Sequence, residues 1–382
     1  MSDVDGPRLA TAEEFPDMME LLDRYFAYSR GGMQANLPFA YDPDHADHHA
    51  LIVDDDRIVS HIGAVPQTLS TGVDGETVEC WGIGGVATDR RYRGNGYMSQ
   101  LLEFWFERMA EAGVPLSDLS GDRQRYGHFG YEMAGSEFRY SLSDRSFDGE
   151  PTASESVVGY EPDEHLETIH QIHENESYRV VRDLEGSRTV YGQRDLETLL
   201  YDDGSDVAYV SLSRESRTRT IQEFGGDPDG LETLLSHLFA VLDLNGLRAH
   251  VPPEHPLEPV FAQHSRFWRA RPHRKLRICD LHATLEAFAG QLEKRWLESG
   301  RTETGSLVLK LAEDDDATRL TYGPDGVTVE AASDRPDVEH DRMTMASLLF
   351  GMPLRCDDLR ADDPFLRTAL PLRYFIWGTE HV

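Results

Sequence analysis
The stretch Gly84–Gly113, GGVATDRRYRGNGYMSQLLEFWFERMAEAG, restricts what this chain can fold into more than any other part of it. A β-prone run enters the turn Arg91-Tyr92-Arg93-Gly94-Asn95-Gly96, and Tyr97 follows as the first residue of a long segment. In that segment Met98, Leu101, Leu102, Trp105, Met109 and Ala112 recur at three- and four-residue steps, the spacing of one helix face. Gly113 and Pro115 end it. A glycine turn that opens a helix aims several backbone N–H groups one way, at the positive end of the helix dipole. Strand, basic glycine turn and immediate helix together predict a cradle for a diphosphate. Arg91 and Arg93 add charge at its mouth.

Other glycine motifs fit less well. A dinucleotide-binding fingerprint needs a third glycine and a place near the start of a βαβ unit. A kinase-type phosphate loop needs Lys-Ser/Thr after its second glycine, where this chain has Tyr97-Met98. A tight corner alone would explain the glycines but not the flanking arginines.

The charge of the chain is extreme, −32 at neutral pH, and lysine occurs only at Lys275, Lys294 and Lys310 among 37 basic residues. Such a surface repels itself in dilute buffer and is relieved by screening, so it reads as adaptation to high salt. It argues against a nucleic-acid partner, which needs a basic face. The cysteines Cys80, Cys279 and Cys356 are odd in number and far apart, the pattern of reduced thiols rather than a disulfide framework. Residues 1–16 are polar and acidic, unlike a signal peptide, and no apolar run is long enough to span a bilayer. These features predict a soluble cytoplasmic protein with no membrane partner. The length suits two or three domains.

In chain order, a capping box at Thr11 and Glu14 predicts a helix over 11–30 with Phe15, Met18, Met19, Leu22 and Phe26 on one face. Ala50–Val53, Ile58–Leu69 and Val78–Val86 read as successive strands with Asp-rich and Asp-Gly turns between them. Leu116–Leu119 is a further strand, and Phe138–Leu142 closes this unit. His45 and His48, in the loop 41–49, read as polar loop residues rather than metal ligands. The polar stretch 143–163 is the first boundary. A helix over His165–Val181 follows, then strands Val207–Ser213 and Thr218–Phe224 joined by the turn 214–217, a helix Leu231–Leu244 and a strand Leu247–Val251. This order repeats the first unit without its cradle, since Gly225-Gly226-Asp227 carries acid instead of arginine. From about residue 275 a strand Leu276–Leu281, a helix Ala283–Trp296, three antiparallel strands within 306–331 and a helix Met343–Gly351 form the last unit.

The cradle residues resemble motif A of the GNAT N-acetyltransferases, in which Val86-Ala87-Thr88 would precede Arg91-x-x-Gly94-x-Gly96 and its helix. Tyr126-Gly127-His128-Phe129-Gly130-Tyr131 resembles the Tyr-Gly-x-Phe-Gly-Tyr segment of the Eis-like branch of that superfamily. The resemblance implies an α/β (α+β) fold: a mixed-sheet acetyl-CoA-binding domain over 1–145, a second GNAT-like domain over 146–274 lacking the cradle, and an α+β sterol-carrier-like domain over 275–382. It implies acetyl-CoA as co-substrate, held by Gly84, Gly85, Val86, Arg91, Tyr92, Arg93, Gly94, Asn95, Gly96 and Tyr97. Glycines at 84 and 85 permit a splayed or bulged strand whose amides face the thioester.

Acetyl transfer to an amine also needs an acid for the departing thiolate and a base for the amine proton. By resemblance the acid is Tyr126, whose phenol is protonated at neutral pH; the alternative is a ring packed with Phe129 and Tyr131. The base in that family is the carboxylate of the chain terminus, here that of Val382. The approach Tyr374-Phe375-Ile376-Trp377 suits a buried tail, whereas Gly378-Thr379-Glu380-His381-Val382 departs from the usual aromatic ending, so Glu380 or His381 are alternatives. The resemblance implies an N-acetyltransferase working by direct transfer to a primary amine of a small molecule or lysine, within a homo-oligomer. A chain that kept the cradle and lost the chemistry would instead be a CoA-binding regulatory or scaffold protein. One whose last domain holds an apolar ligand would be a binding protein that uses the cradle little.

Overall fold
The computed structural model describes residues 4–28, 30–147, 149–214, 217–353, 355–360 and 363–382. Asp148 of the predicted boundary, and Glu215 and Ser216 of the predicted 214–217 turn, lie outside them. Among the described residues the strands form three sheets, which makes the chain a mixed α/β protein. The first sheet is ordered Val4–Leu9, His49–Asp54, Arg57–Ser70, Thr77–Thr88, Leu116–Leu119, Arg274–Ile278 and Glu132–Ala134. The second runs Phe267–Arg271, Glu137–Leu142, Gly246–Val251, Thr218–Gly226, Val207–Ser213, Leu196–Asp202 and Val157–Gly159. A four-stranded sheet, Gly326–Ala332, Ala317–Gly323, Gly305–Leu311 and Val338–His340, belongs to the last part of the chain.

The first sheet splays where the site lies. Strand Thr77–Thr88 runs parallel to Leu116–Leu119 only from Cys80↔Leu116 to Ile83↔Leu119. Beyond that point Gly84–Thr88 stays paired on one side only, with Arg57–Ser70, and its other edge is one arm of a fork. The helix Tyr97–Glu111 covers this sheet with Leu101, Leu102, Trp105 and Met109, all buried, and Trp105 Nε1 donates to the Ile62 carbonyl at 2.9 Å. Its apolar period matches the predicted stripe, except that Ala112 is exposed and outside the helix.

Several elements differ from expectation. The first helix starts at Phe15, one turn late, because the Glu14 carboxylate turns back to the Thr11 amide at 3.0 Å and pairs with Arg8. The helix expected over His165–Val181 is Pro162–Glu174. The chain after it pairs with the first sheet instead: Ser70 N donates to Arg179 O at 2.9 Å and Val181 N to Thr68 O at 2.8 Å. Edge pairing there satisfies more backbone groups than another helical turn would. Helix Leu184–Tyr191 and strand Leu196–Asp202 were not legible in the pattern. Two strands change places. Glu137–Leu142, expected to close the first unit, pairs with Gly246–Val251 and Phe267–Arg271 in the second sheet. Arg274–Ile278, expected to open the last unit, fills the slot between Leu116–Leu119 and Glu132–Ala134. Alternation identifies a strand, but not the edge it joins.

The tail binds all of this together. Leu372, Tyr374 and Ile376 enter the apolar core shared by the first sheet and the last part of the chain. Phe375 and Trp377 enter the core of the second sheet. An extended segment presents alternate side chains to opposite sides, so one short run serves two cores.

Candidate active site
The cradle turn is a 3₁₀ segment, Arg90–Tyr92, followed by Gly94 and Gly96 with φ of +88° and +78°. Left-handed backbone at both positions favours glycine. Gly96 is the N-cap of Tyr97–Glu111 with no side chain capping the first turn, so the leading amides keep no protein partner of that kind. A Cβ on Gly94 would meet no atom within 4 Å, so the space over the turn is open. An uncapped N-terminus beneath an open glycine turn fits a diphosphate.

Asp89 pins this turn from below. Its carboxylate is buried, accepts from the Arg91 amide at 3.0 Å and from Arg57 Nη2 at 2.8 Å, and lies 3.6 Å from Arg24. The Arg91 amide bond, with the guanidinium groups of Arg91 and Arg57, holds its carboxyl below the ordinary range against the effect of burial. Arg91 stays exposed, 3.5 Å from Asp89. Arg93 donates to the Thr88 carbonyl at 3.3 Å and its guanidinium lies 5.8 Å over the Tyr25 ring. Tyr92 and Tyr97 pack partly against the core of the first sheet, and Asn95 is exposed.

On the fork's long arm, Gly85 has φ +59° and the ladder to the neighbouring strand slips between His61↔Ala87 and Gly63↔Gly84. That is a bulge, as glycines 84 and 85 led one to expect. His61 Nδ1 lies 2.7 Å from the Gly85 carbonyl, and His61 Nε2 lies 3.0 Å from His49 Nδ1. The carbonyl can only accept, so His61 carries its proton on Nδ1 and His49 donates from Nδ1. Burial holds both rings neutral, lowering His61 to about 4 and His49 to about 2. A trans peptide sets N–H opposite C=O, so the Val86 amide is turned away from the His61 ring. Tyr41, stacked on His49, is buried against the same bulge.

Across the fork, Asp122 caps the short helix Arg123–Gly127, accepting from the Arg125 amide at 2.9 Å. Its buried residue is Tyr126, which lies against Gly121 and edge-on to Tyr131 at 6.3 Å between centroids. Burial raises the Tyr126 phenol above its usual 10.0, with Arg125 opposing. Tyr131 is fully buried and bonded to Ser117 Oγ at 2.8 Å, a packing role.

The terminus comes to the fork. A Cβ on Gly84 would lie 3.1 Å from the carboxyl carbon of Val382, and one on Gly82 would lie 3.0 Å from Val382 Cγ2. Gln67 Nε2 holds the Glu380 carbonyl at 2.9 Å, and Gln193 Nε2 holds the Thr379 carbonyl at 2.6 Å. Glu380 itself is turned into a salt bridge with Arg182 at 3.0 Å, and His381 Nε2 is bonded to the Ile376 carbonyl at 3.0 Å. Both alternatives to the terminal carboxylate are therefore engaged elsewhere. Sequence reasoning missed Gly82, Gln67, Arg182 and the His49–His61 pair. Gly82 and Gly84, two apart on one strand face, were the available signal that another backbone approaches closely. On the surface turn Pro43–His48, His45, Asp47 and His48 each offer a ligand atom within 4.8 Å of the others, more clustered than a plain polar loop suggests.

Residues 7–134 match the family model described as an acetyltransferase (GNAT) domain. No curated protein matches the chain significantly by sequence. Among solved structures, it resembles a GCN5-related N-acetyltransferase from Kribbella flavida at 19% identity and TM-score 0.71, covering 98% of this chain and 99% of that one. A probable N-acyltransferase from Enterococcus faecalis matches at 15% identity and TM-score 0.73, covering 98% and 97%. Eis1 from Mycobacterium abscessus matches at 16% identity and TM-score 0.67, covering 98% and 99%. The structural similarities extend over the length of the fold, and residues 7–134 are the part that matches the acetyltransferase (GNAT) family model.

Proposed function
We propose that the chain is an acetyl-CoA-dependent N-acetyltransferase that moves an acetyl group directly to a primary amine of a small molecule or lysine. The observation that carries this reading is the carboxyl group of Val382 lying against Gly84, on the arm of the fork that follows the splay. Bound acetyl-CoA supplies the acetyl group as a thioester, its diphosphate over Gly94–Tyr97 and its arm along Gly84–Val86. As the amine nitrogen bonds to the acetyl carbon, the carbon–sulfur bond breaks. The amine proton passes to the terminal carboxylate, the Tyr126 hydroxyl protonates the departing thiolate, and solvent restores both groups. The Val86 amide, turned away from His61, is the donor for the charge that develops on the acetyl oxygen. Direct transfer is favoured because Cys80, on the same strand, is fully buried with its thiol held protonated by that burial.

We read residues 1–145 as the acetyl-CoA-binding unit, 146–274 as a second GNAT-like unit without a cradle, and 275–382 as sterol-carrier-like, with one strand exchanged at each boundary. We also read the acidic composition as adaptation to high salt, and the assembly as a homo-oligomer in the cytoplasm. The test is thiol release from acetyl-CoA with a panel of primary amines in molar salt. Tyr126→Phe is expected to lower kcat about 100-fold while acetyl-CoA affinity is kept, the size of a lost general acid. A wild-type chain that binds acetyl-CoA yet releases thiol with no amine would leave a CoA-binding regulatory protein instead.

A further inference from the structure
The last five residues, Gly378–Val382, follow the aromatic anchors, and free chain of that length can wander about 17 Å from Trp377. A terminal carboxylate that takes a proton from a bound amine has to be held far more tightly, since a misplacement of about 1 Å can cost about 100-fold in rate. Termini do not order themselves unless something ties them down.

What ties this one down is charged: Arg182, in the segment between helices Pro162–Glu174 and Leu184–Tyr191, and Glu223, on strand Thr218–Gly226 of the second sheet. Arg182 is almost fully buried, reaching Glu223 at 2.9 Å on one side and Glu380 at 3.0 Å on the other. Glu223 Oε1 also lies 3.0 Å from His173 Nδ1 and accepts from Tyr191 at 2.7 Å and Tyr209 at 2.6 Å. Its second oxygen accepts from the Thr379 hydroxyl. Arg182 in turn donates to the Tyr191 hydroxyl at 2.6 Å and to Ser187 at 3.0 Å, which fixes its fork. The segment carrying Arg182 is the one that leaves its helix to pair with Thr68–Ser70 of the first sheet. Gln67, the neighbour of Thr68, grips the Glu380 carbonyl.

A buried ion pair is a poor source of stability, because apolar residues of similar volume commonly do as well or better. Its best-attested use is to enforce one register over others. Held at Glu380, the chain has only two residues, about 7 Å, of free reach left. We propose that Arg182 and Glu223 are positioning residues, a charged clamp that takes hold of Thr379 and Glu380 and so fixes the Val382 carboxylate against Gly84. The second sheet then contributes to catalysis without touching either substrate. This inference rests on the reading of the terminal carboxylate as base.

Kinetics on the full chain in molar salt test it. Glu380→Gln keeps the volume and removes the charge, and Thr379→Val removes the hydroxyl; both alter only the tail, so the buried Arg182–Glu223 pair stays intact in each. Each variant is expected to lower kcat about 10-fold or more with acetyl-CoA affinity unchanged, since misplacement of a reacting group is felt in the chemical step. Adding two glycines after Val382 moves the carboxylate and is expected to abolish turnover to a floor. In that extended chain Glu380→Gln should then cause no further loss, as residues acting through one group are not additive. Folded clamp variants with full kcat, or a further loss in the extended chain, would overturn the clamp while the acetyltransferase reading stands. An extended chain with full kcat would overturn the terminal base and the clamp together, and absence of turnover in the wild-type chain would overturn the function itself.

Discussion
His49 and His61 lie behind the bulge with no exposed surface, and their wiring orients one peptide bond, the Gly85–Val86 link. Both imidazoles are neutral in the fold and would bind protons once unfolded, so the unfolded chain takes up more protons below the ordinary imidazole value of 6.5. Stability is therefore unaffected by these rings above pH 6.5 and declines as pH falls toward about 4, where His61 protonates in place. Denaturant midpoints measured from pH 7 to 4 should fall, and His61→Phe should flatten part of that slope; an unchanged slope would contradict the neutral, buried pair. Gly84 yields a second expectation at this scale. A methyl group there would collide with Val382 Cγ1 and crowd its carboxyl carbon at 3.1 Å, displacing the terminus, so Gly84→Ala should reduce kcat more than acetyl-CoA affinity in steady-state and binding measurements.

The cradle helix was legible because its information is local: Leu101, Leu102, Trp105 and Met109 announce a buried face by spacing alone. Trp105→Ala should cost about 3–5 kcal/mol by chemical denaturation, as for large buried aromatics in general. The clamp was not legible. Arg182, Glu223 and Glu380 are far apart in sequence, each resembles an ordinary surface charge there, and only the fold makes them neighbours. The same limit explains the exchanged strands, since Glu137–Leu142 and Arg274–Ile278 are recognisable as strands but carry no label for their partners. The bulge lies between these cases. Adjacent glycines at 84 and 85 advertised an irregular strand, whereas His61, a lone histidine in an apolar run, advertised nothing.

At the scale of the whole molecule, the tail makes the sheets interdependent. Phe375 and Trp377 complete one core and Tyr374 and Ile376 another, so the end of the chain closes the fold as well as the site. Truncation before Tyr374 should therefore lower the unfolding temperature as well as abolish turnover, by thermal scans beside the kinetic assay. The net charge of −32 gives salt a large part in that stability, and the midpoint should climb from dilute buffer to molar salt as self-repulsion is screened. Every proposed step depends on acetyl-CoA lying over the uncapped helix at Gly94–Tyr97. Its most direct test is a calorimetric titration of acetyl-CoA in molar salt into the wild-type chain and into Gly94→Trp and Gly96→Trp. Binding by the wild-type chain that both substitutions abolish is the predicted result; a wild-type chain that takes up no acetyl-CoA would contradict the account.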